Sequence, residues 1–344
     1  RPDMLGYALR RLAAMIPTLL AVSFLIFAVV ELPPGDYLSN QMQELQSQGE
    51  GAGAARLAFL RQEFAYDRPF LERYAIWVGL WPGPHGFDGL LQGEWGWSFL
   101  YSKPVDEVLG ERVGLTALLN LATVFVVYLI AFPVGLLAAR RPGGVVDIGA
   151  STLSYIGLAV PSFLLALILL SFAHAWFGMT IGGLMSPAYD GQPWSLAKVG
   201  DVAAHLAIPA LVIALGSAGI MIRRLRANLL DEIGKPYVVA ARARGIGEAR
   251  LMTRYPLRLA FAPFVADIGN LLPSMVSGSV IVSVVLNLPT VGPVLLAALR
   301  GQDTFLAAFI LFFTALLTLA GMLISDLILA ALDPRVRLGE RTRL

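Results

Sequence analysis

The sequence predicts an all-α membrane protein: six transmembrane helices with both termini in the cytoplasm, a long outer loop after the first helix, and a cytoplasmic loop that carries a short helix of its own. Three observations predict it. Of 344 residues, 57% are hydrophobic and only 15% charged, with a mean hydropathy of +0.69, which is more apolar than a soluble domain of this size. The apolar residues gather in six runs, each near or above the ~20 residues that cross a bilayer core. The lysines and arginines gather on one side of those runs.

The first run, residues 9–30, carries Arg10 and Arg11 at its head and is followed by no small-residue cleavage site, so it reads as a retained anchor. Arg1–Asp3 precede Met4, which reads as an initiator, and stand outside the fold argument. The other runs are 113–139, 148–177, 203–222, 260–287 and 307–332. With the N-terminus inside, the inner segments hold 3 basic residues in 1–11, 2 at Arg140 and Arg141, 9 in 223–258 and 4 in 335–343, or 18 of 26. Of the remaining 8, 6 fall in one long outer loop, where the positive-inside rule is weak. The expected organisation is therefore a cytoplasmic N-terminus and first helix (1–30), a periplasmic loop (31–112), a five-helix core (113–332) containing the cytoplasmic loop 223–258, and a cytoplasmic tail (333–344).

The outer loop mixes breakers at Pro33–Gly35, 49–54 and 81–86 with one amphipathic stretch, RLAFLRQEFAYDRPFLERYAIWVGLW at 56–81, expected to pack on the membrane end of the bundle. The inner loop carries GKPYVVAARARGIGEARLMTRYPLRLAFAP at 234–263. Pro236 suits a first helical position, where its missing N–H costs nothing, and Gly245 can take the left-handed conformation after the last turn. The helix PYVVAARAR between them is ~13 Å long, too short to be stable alone in water. It presents Tyr237, Val238, Ala240 and Ala241 for close approach and Arg242 and Arg244 for charge contact. On the residues alone, a solvated loop with positive-inside charges accounts for it equally well.

Chemistry inside the chain is excluded on several counts. There is no cysteine, and the three histidines, His85, His174 and His205, are far apart. No HExxH or GxSxG occurs, and the position a phosphate loop needs as glycine before Gly234 and Lys235 is Leu229. If this chain does ATP-driven work, a partner supplies the drive. The fifth run is the most polar, with Asp267, Asn270, Ser274, Ser277, Ser279, Ser283 and Asn287. Polar groups at membrane depth face protein or a water-filled cavity; Asn270, Ser274, Ser277, Ser283 and Asn287 are candidates for a translocation path. The competing reading is helix packing, since Ser274 and Gly278 have small-xxx-small spacing. Asp267 is either hydrated at the inner end or paired with a basic residue of the loop. Asp326 and Asn120 are read as structural. Pro133, Pro161, Pro209, Pro263 and Pro273 fall in or at the ends of runs and favour kinks.

With AARARG at 240–245 following Tyr237, and Arg258 and Pro263 beyond it, the loop resembles the "EAA" loop of permease subunits of ATP-binding cassette importers. Further pieces lie in order along nearly the whole chain: RRLAAMIPTLLAVSFLIF (10–27), PGD (34–36), YDRP and RYAIW (66–77), GEWGWS (93–98), HLAIPALVIALG (205–216), GSVIVSVVLNLPTVG (278–292) and LDPRVR (332–337). Together they are similar to the oligopeptide/dipeptide/nickel type, and to the longer-looped member of its permease pair. The resemblance implies a coupling helix that docks in a groove of an ATP-hydrolysing subunit, with Pro236, Tyr237, Val238, Ala240, Ala241, Arg242, Arg244 and Gly245 at the contact. Val239 stands where the general pattern has glutamate, and Ser283 where the family usually has an acidic residue. It further implies a bacterial inner-membrane location, a second similar permease, two ATPase subunits that hold ATP and Mg, and an extracytoplasmic binding protein. No cofactor is expected in this chain. The cargo expected is peptide-like or oligosaccharide-like, nickel chelates being a third possibility in the group. The alternative is a secondary transporter or channel working without an ATPase; a membrane-embedded enzyme is disfavoured by the missing constellations.

Overall fold

A computed structural model describes residues 4–332 except 34, 36, 49, 50, 178–182, 184, 190 and 194; the side chains of 263, 268–270 and 272–277 are among several others outside the description. The expected tail 333–344 and the side chains of Asn270, Ser274 and Ser277 therefore lie outside the described residues.

Helices account for nearly every described element. They are α1 (Met4–Glu31), α2 (Tyr37–Gln48), α3 (Gly51–Glu63), α4 (Phe70–Val78), α5 (Val105–Arg140), α6 (Val145–Ala159), α7 (Ser162–Phe177), α8 (Leu196–Ile233), α9 (Pro236–Ala243), α10 (Glu248–Arg254), α11 (Pro256–Ala266), α12 (Ile268–Val285), α13 (Val291–Arg300) and α14 (Thr304–Leu332). One antiparallel ladder pairs β1 (Trp97–Ser98) with β2 (Lys103–Pro104).

Four helices, α1, α5, α8 and α14, are long and apolar enough to cross a bilayer, and the pair α6–α7 makes a fifth if counted as one span. That pair takes up the run 148–177, and its halves meet at 104°. The break falls at Val160 and Pro161, where proline cannot donate and pushes the preceding residue out of helical geometry; Val160 has φ −85° and ψ 122°. The expected run 260–287 is likewise divided, at Asp267, into α11 and α12. Near the start of α5 the helix is interrupted at Gly110, whose φ of +38° and ψ of −121° favour glycine.

The chain forms two compact units. The first comprises residues up to Ala14, Leu115–Pro289 and the segment from Leu317 onward. Its axis is α8, with 61% of its apolar window buried against 11% for α1. Small residues let backbones meet there. A Cβ placed on Gly219 of α8 would lie 2.9 Å from the Cα and carbonyl oxygen of Ser154 in α6, and one on Gly157 would lie 3.3 Å from the Leu215 carbonyl. A Cβ on Gly135 of α5 would lie 3.1 Å from the Ile222 carbonyl. Contact of this kind drives helix association where lipid cancels the hydrophobic effect.

Charges pin the ends of these helices. Arg226 of α8 holds Asp147 of α6 with both Nε and Nη2, and Asp147 also accepts from the Gly143 amide at 2.8 Å. Arg224 of α8 pairs with Asp267, so the paired alternative holds for that carboxylate. Arg11 lies 3.3 Å from Asp326, and Asn120 donates to the Thr116 carbonyl at 2.8 Å. His205 Nδ1 is 2.8 Å from the Asp201 carbonyl oxygen. No group of three or more potential metal ligands occurs among the described residues.

The second unit comprises Met15–Gly114 and Thr290–Leu316. Its amphipathic stretch packs by aromatic contact: Trp77 stacks on Phe27 of α1 at 5.3 Å and meets Phe312 edge-on at 6.1 Å. Arg73 pairs with Glu31, and Ser23 shares a 2.8 Å hydrogen bond with the Tyr74 hydroxyl. Asp303, fully buried, accepts from the Ser98 hydroxyl at 2.7 Å and the Leu100 amide at 3.0 Å, tying the β1–β2 turn to the α13–α14 corner.

Candidate coupling site

The loop 223–258 forms its short helix where punctuation predicts. Proline occupies the first turn of α9 after Lys235, the helix closes at Arg244, and Gly245 follows with φ +79°. What stabilises so short a helix is a small core of its own. Val238 and Ala241 are buried with Leu251 of α10, and Tyr237, Ile246 and Tyr255 pack around them.

Polar contacts fix both ends. Glu232, at the end of α8, takes hydrogen bonds from Lys235 Nζ and the Tyr237 hydroxyl. Burial, the hydrogen bond to Glu232 and the charge of that carboxylate push the Tyr237 phenol up to about 12. Burial alone would raise the Glu232 carboxyl, but the two hydrogen bonds outweigh it and hold the group below its ordinary range. At the far end Arg242 forks onto Glu248, with Nη2 2.7 Å from Oε1 and Nε 3.1 Å from Oε2. The α8 end, α9 and α10 are thus one braced piece.

This bracing separates the predicted residues into two groups. Val238 and Ala241 are inside the loop's own core, so this chain does not offer them to a partner, and Arg242 is engaged by Glu248. Tyr237 is half-buried, and Arg244 and Gly245 are exposed. The exposed face of α9 instead carries Pro236, Val239, Ala240 and Ala243. Their spacing of i, i+3, i+4 and i+7 makes one stripe along the helix. Val239 and Ala243 were absent from the sequence-based set. Counting that period from Pro236 finds them.

Of the residues expected on a translocation path, two have described side chains. Ser283 is 1% exposed and its carbonyl accepts the Leu288 amide at 2.9 Å. Asn287 is exposed with φ +49°, and its amide reaches the Val284 carbonyl at 3.3 Å. The pair of bonds is a Schellman stop, with Asn287 as the left-handed residue that ends α12. Around Gly278 a Cβ would meet no atom within 4 Å, so its absence is not required by packing within the chain.

Comparison with known proteins identifies the setting of this loop. Residues 131–338 match the family described as binding-protein-dependent transport system inner membrane component. The chain is 30% identical to the oligopeptide transport system permease protein AppB of Bacillus subtilis (strain 168), covering 97% of this chain and 99% of that one. It is 29% identical to the glutathione transport system permease protein GsiC of Salmonella choleraesuis (strain SC-B67), with the same coverage of 97% and 99%. The protein is thus a transport component and not an enzyme, it is a multi-pass membrane protein, and its family works with an ATPase and a substrate-binding protein. With the family matched over more than half its length, the chain belongs to the inner-membrane components of binding-protein-dependent transport systems, as a permease subunit of an ATP-binding cassette importer of the peptide/dipeptide/nickel type.

Proposed function

We propose that this chain forms half of the translocation path for a peptide-like solute, with a second similar permease, two ATPase subunits that bind ATP and Mg, and an extracytoplasmic binding protein. The names of the relatives favour peptides over oligosaccharides as cargo. The membrane is the bacterial inner membrane, both termini are cytoplasmic, and α11–α12 completes six spans. The observation that carries the coupling role is the exposed stripe Pro236, Val239, Ala240, Ala243 on a helix braced through Glu232 and Arg242. A flat, small-residue face lets a partner's groove approach the helix backbone. A brace turns movement of that groove into movement of α8 instead of bending the loop. For the path, the proposed residues are Asn270, Ser274, Ser277, Ser283 and Asn287 of the fifth run; the exposed Asn287 and the open surroundings of Gly278 support that reading, whereas Ser283 is buried in this conformation.

The test is co-purification of the tagged chain from native membranes, with mass spectrometry of its companions and ATPase assay. A P-loop ATPase retained by the wild type and lost on Ala240→Asp is the expected result. A chain that purifies alone and moves peptide in liposomes without ATP overturns the proposal in favour of a secondary transporter.

A further inference from the structure

Helix α4, in the loop after the first span, touches α1 well below the end of that span, and the contacts measure how far below. No charged residue stands between Arg11 and Glu31 of α1, and the 19 positions 12–30 rise ~28 Å, close to the ~30 Å hydrocarbon thickness of a bilayer. Glu31 therefore marks one edge of the apolar slab. Phe27 lies four residues inside that edge, ~6 Å down, and Leu20 eleven residues, ~16 Å down.

Three residues of α4 converge on Phe27. The ring centroids of Phe70, Tyr74 and Trp77 stand 5.7, 5.8 and 5.3 Å from its own. Phe70 and Trp77 are ~10 Å apart along α4, so a helix that brings both to one residue runs across α1 and not along it. The Tyr74 hydroxyl reaches deeper still. It donates to the Leu20 carbonyl at 3.2 Å and shares a 2.8 Å hydrogen bond with the hydroxyl of Ser23, itself 2% exposed. A phenol in an aqueous loop has water for a partner, whereas one at membrane depth must find protein.

Helical geometry then orients the rest of α4. Arg73 pairs with Glu31, so its side of the helix faces the slab edge and the water beyond, the way long basic side chains rise to an interface. Leu71 is two residues away, ~200° around the helix. It points the other way, toward the bilayer interior, and is 65% exposed. At this level α1 is itself open, with Leu25 and Val29 each 59% exposed.

We infer that α4 is an in-plane interfacial helix, seated in the leaflet at the Glu31 end of α1 with Leu71 against the acyl chains and Arg73 at headgroup level. That leaflet is the outer one in the proposed orientation. The occupant of the Leu71 face is lipid, because this surface continues the exposed apolar face of α1. A seat ~6 Å below the slab edge is also the depth that amphipathic interfacial helices adopt. Part of the segment between the first two long spans thus belongs to the membrane and not to the water outside it. The inference rests on α1 crossing the bilayer and is independent of the ATPase and of the cargo.

The chain has no cysteine, so a single introduced one is a unique labelling site. A nitroxide on Leu71→Cys, in the full chain in lipid nanodiscs, is compared by electron paramagnetic resonance with labels on Leu25→Cys of α1 and on Glu94→Cys, an exposed position of the same loop. Oxygen concentrates among acyl chains, and a polar nickel chelate stays in water. The oxygen-to-nickel collision ratio at Leu71 is expected to match that at Leu25. It should stand at least about tenfold above that at Glu94, since leaving water costs a polar complex more than the ~1.4 kcal/mol that tenfold represents. A second measurement needs no label. Leu71→Asp, harmless on a wetted surface, is expected to lower the thermal midpoint in nanodiscs by about 2–4 °C. A ratio at Leu71 equal to that at Glu94 overturns the inference, and so does a label that neither reagent reaches, which would put a protein partner over this face. A midpoint unmoved by Leu71→Asp overturns it too.

Discussion

Arg226 grips Asp147 through two parallel hydrogen bonds, with Nη2 2.7 Å from Oδ2, and so fastens α8 to the first turn of α6. The carboxylate is buried while the guanidinium is partly open to solvent. Removing the acid leaves a cation facing the Gly143 amide it formerly shared a partner with. Asp147→Ala is expected to lower the unfolding temperature in detergent by about 4–8 °C, and Asp147→Glu by less. Differential scanning fluorimetry reads both.

Gly219 and Gly278 make opposite predictions. At Gly219 a Cβ falls 2.9 Å from Ser154 backbone atoms, which cannot rotate away; at Gly278 it meets nothing within 4 Å. Gly219→Leu is expected to cost more than about 2 kcal/mol through overpacking or to abolish the folded protein. Gly278→Ala should leave thermal stability unchanged. Equal losses in the two would refute the close approach of α6 and α8.

Ala240 and Ala241 are neighbours in sequence and opposites in role. Ala240 is exposed on α9, whereas Ala241 is 5% exposed beside Leu251. Ala240→Asp is expected to release the ATPase with the loop still folded. Ala241→Asp is expected to disrupt the loop core first, raising protease cleavage between α8 and α11. Limited proteolysis together with co-purification separates the two outcomes.

The Tyr237–Glu232 bond gives the loop a pH window. Its tyrosine contribution is complete below the ordinary phenol range near ~10 and is lost as pH rises through about 12. Its carboxylate contribution is present above the ordinary glutamate range and lost as pH falls through the lowered value. In an ultraviolet tyrosinate titration, Tyr237→Phe should remove one group ionising near 12. An unchanged curve near that pH would show the hydroxyl to be free.

Asp303 holds Ser98 and Leu100 from a position with no exposed surface. Asp303→Ala strands those donors in the interior and is expected to destabilise the unit by about 2–4 kcal/mol. Asp303→Asn keeps one acceptor and should recover part of it. Chemical denaturation in mild detergent measures the pair.

The sequence was most readable where a single residue type forces local geometry. Pro236 and Gly245 bound α9 because one lacks an amide hydrogen and the other tolerates positive φ. Proline at 161 marked the α6–α7 break, although not its 104° angle. The division at Asp267 carried no such mark. Neither proline nor glycine stands there, and the aspartate itself keeps φ −70° and ψ −12°. The facing of Ala240 and Ala241 was equally hidden, because it depends on Leu251 and Tyr255 coming back onto the helix. In the sequence Asn287 reads by its polar side chain; the structure adds that its backbone ends α12, which depends on a positive φ that a side-chain reading does not consider.

At Ser154 and Gly219 the backbones of α6 and α8 come close enough that no side chain fits between them. At that point a shift of one helix against the other meets backbone, with no side chain between them to change rotamer. Here nothing can exchange. With Arg226 and Asp147 clamping the same two helices further along, they behave as a single lever arm with α9 at its tip. A push on that tip is delivered to α6 and α8 together, and whatever flexing the importer needs must occur at joints elsewhere in the chain.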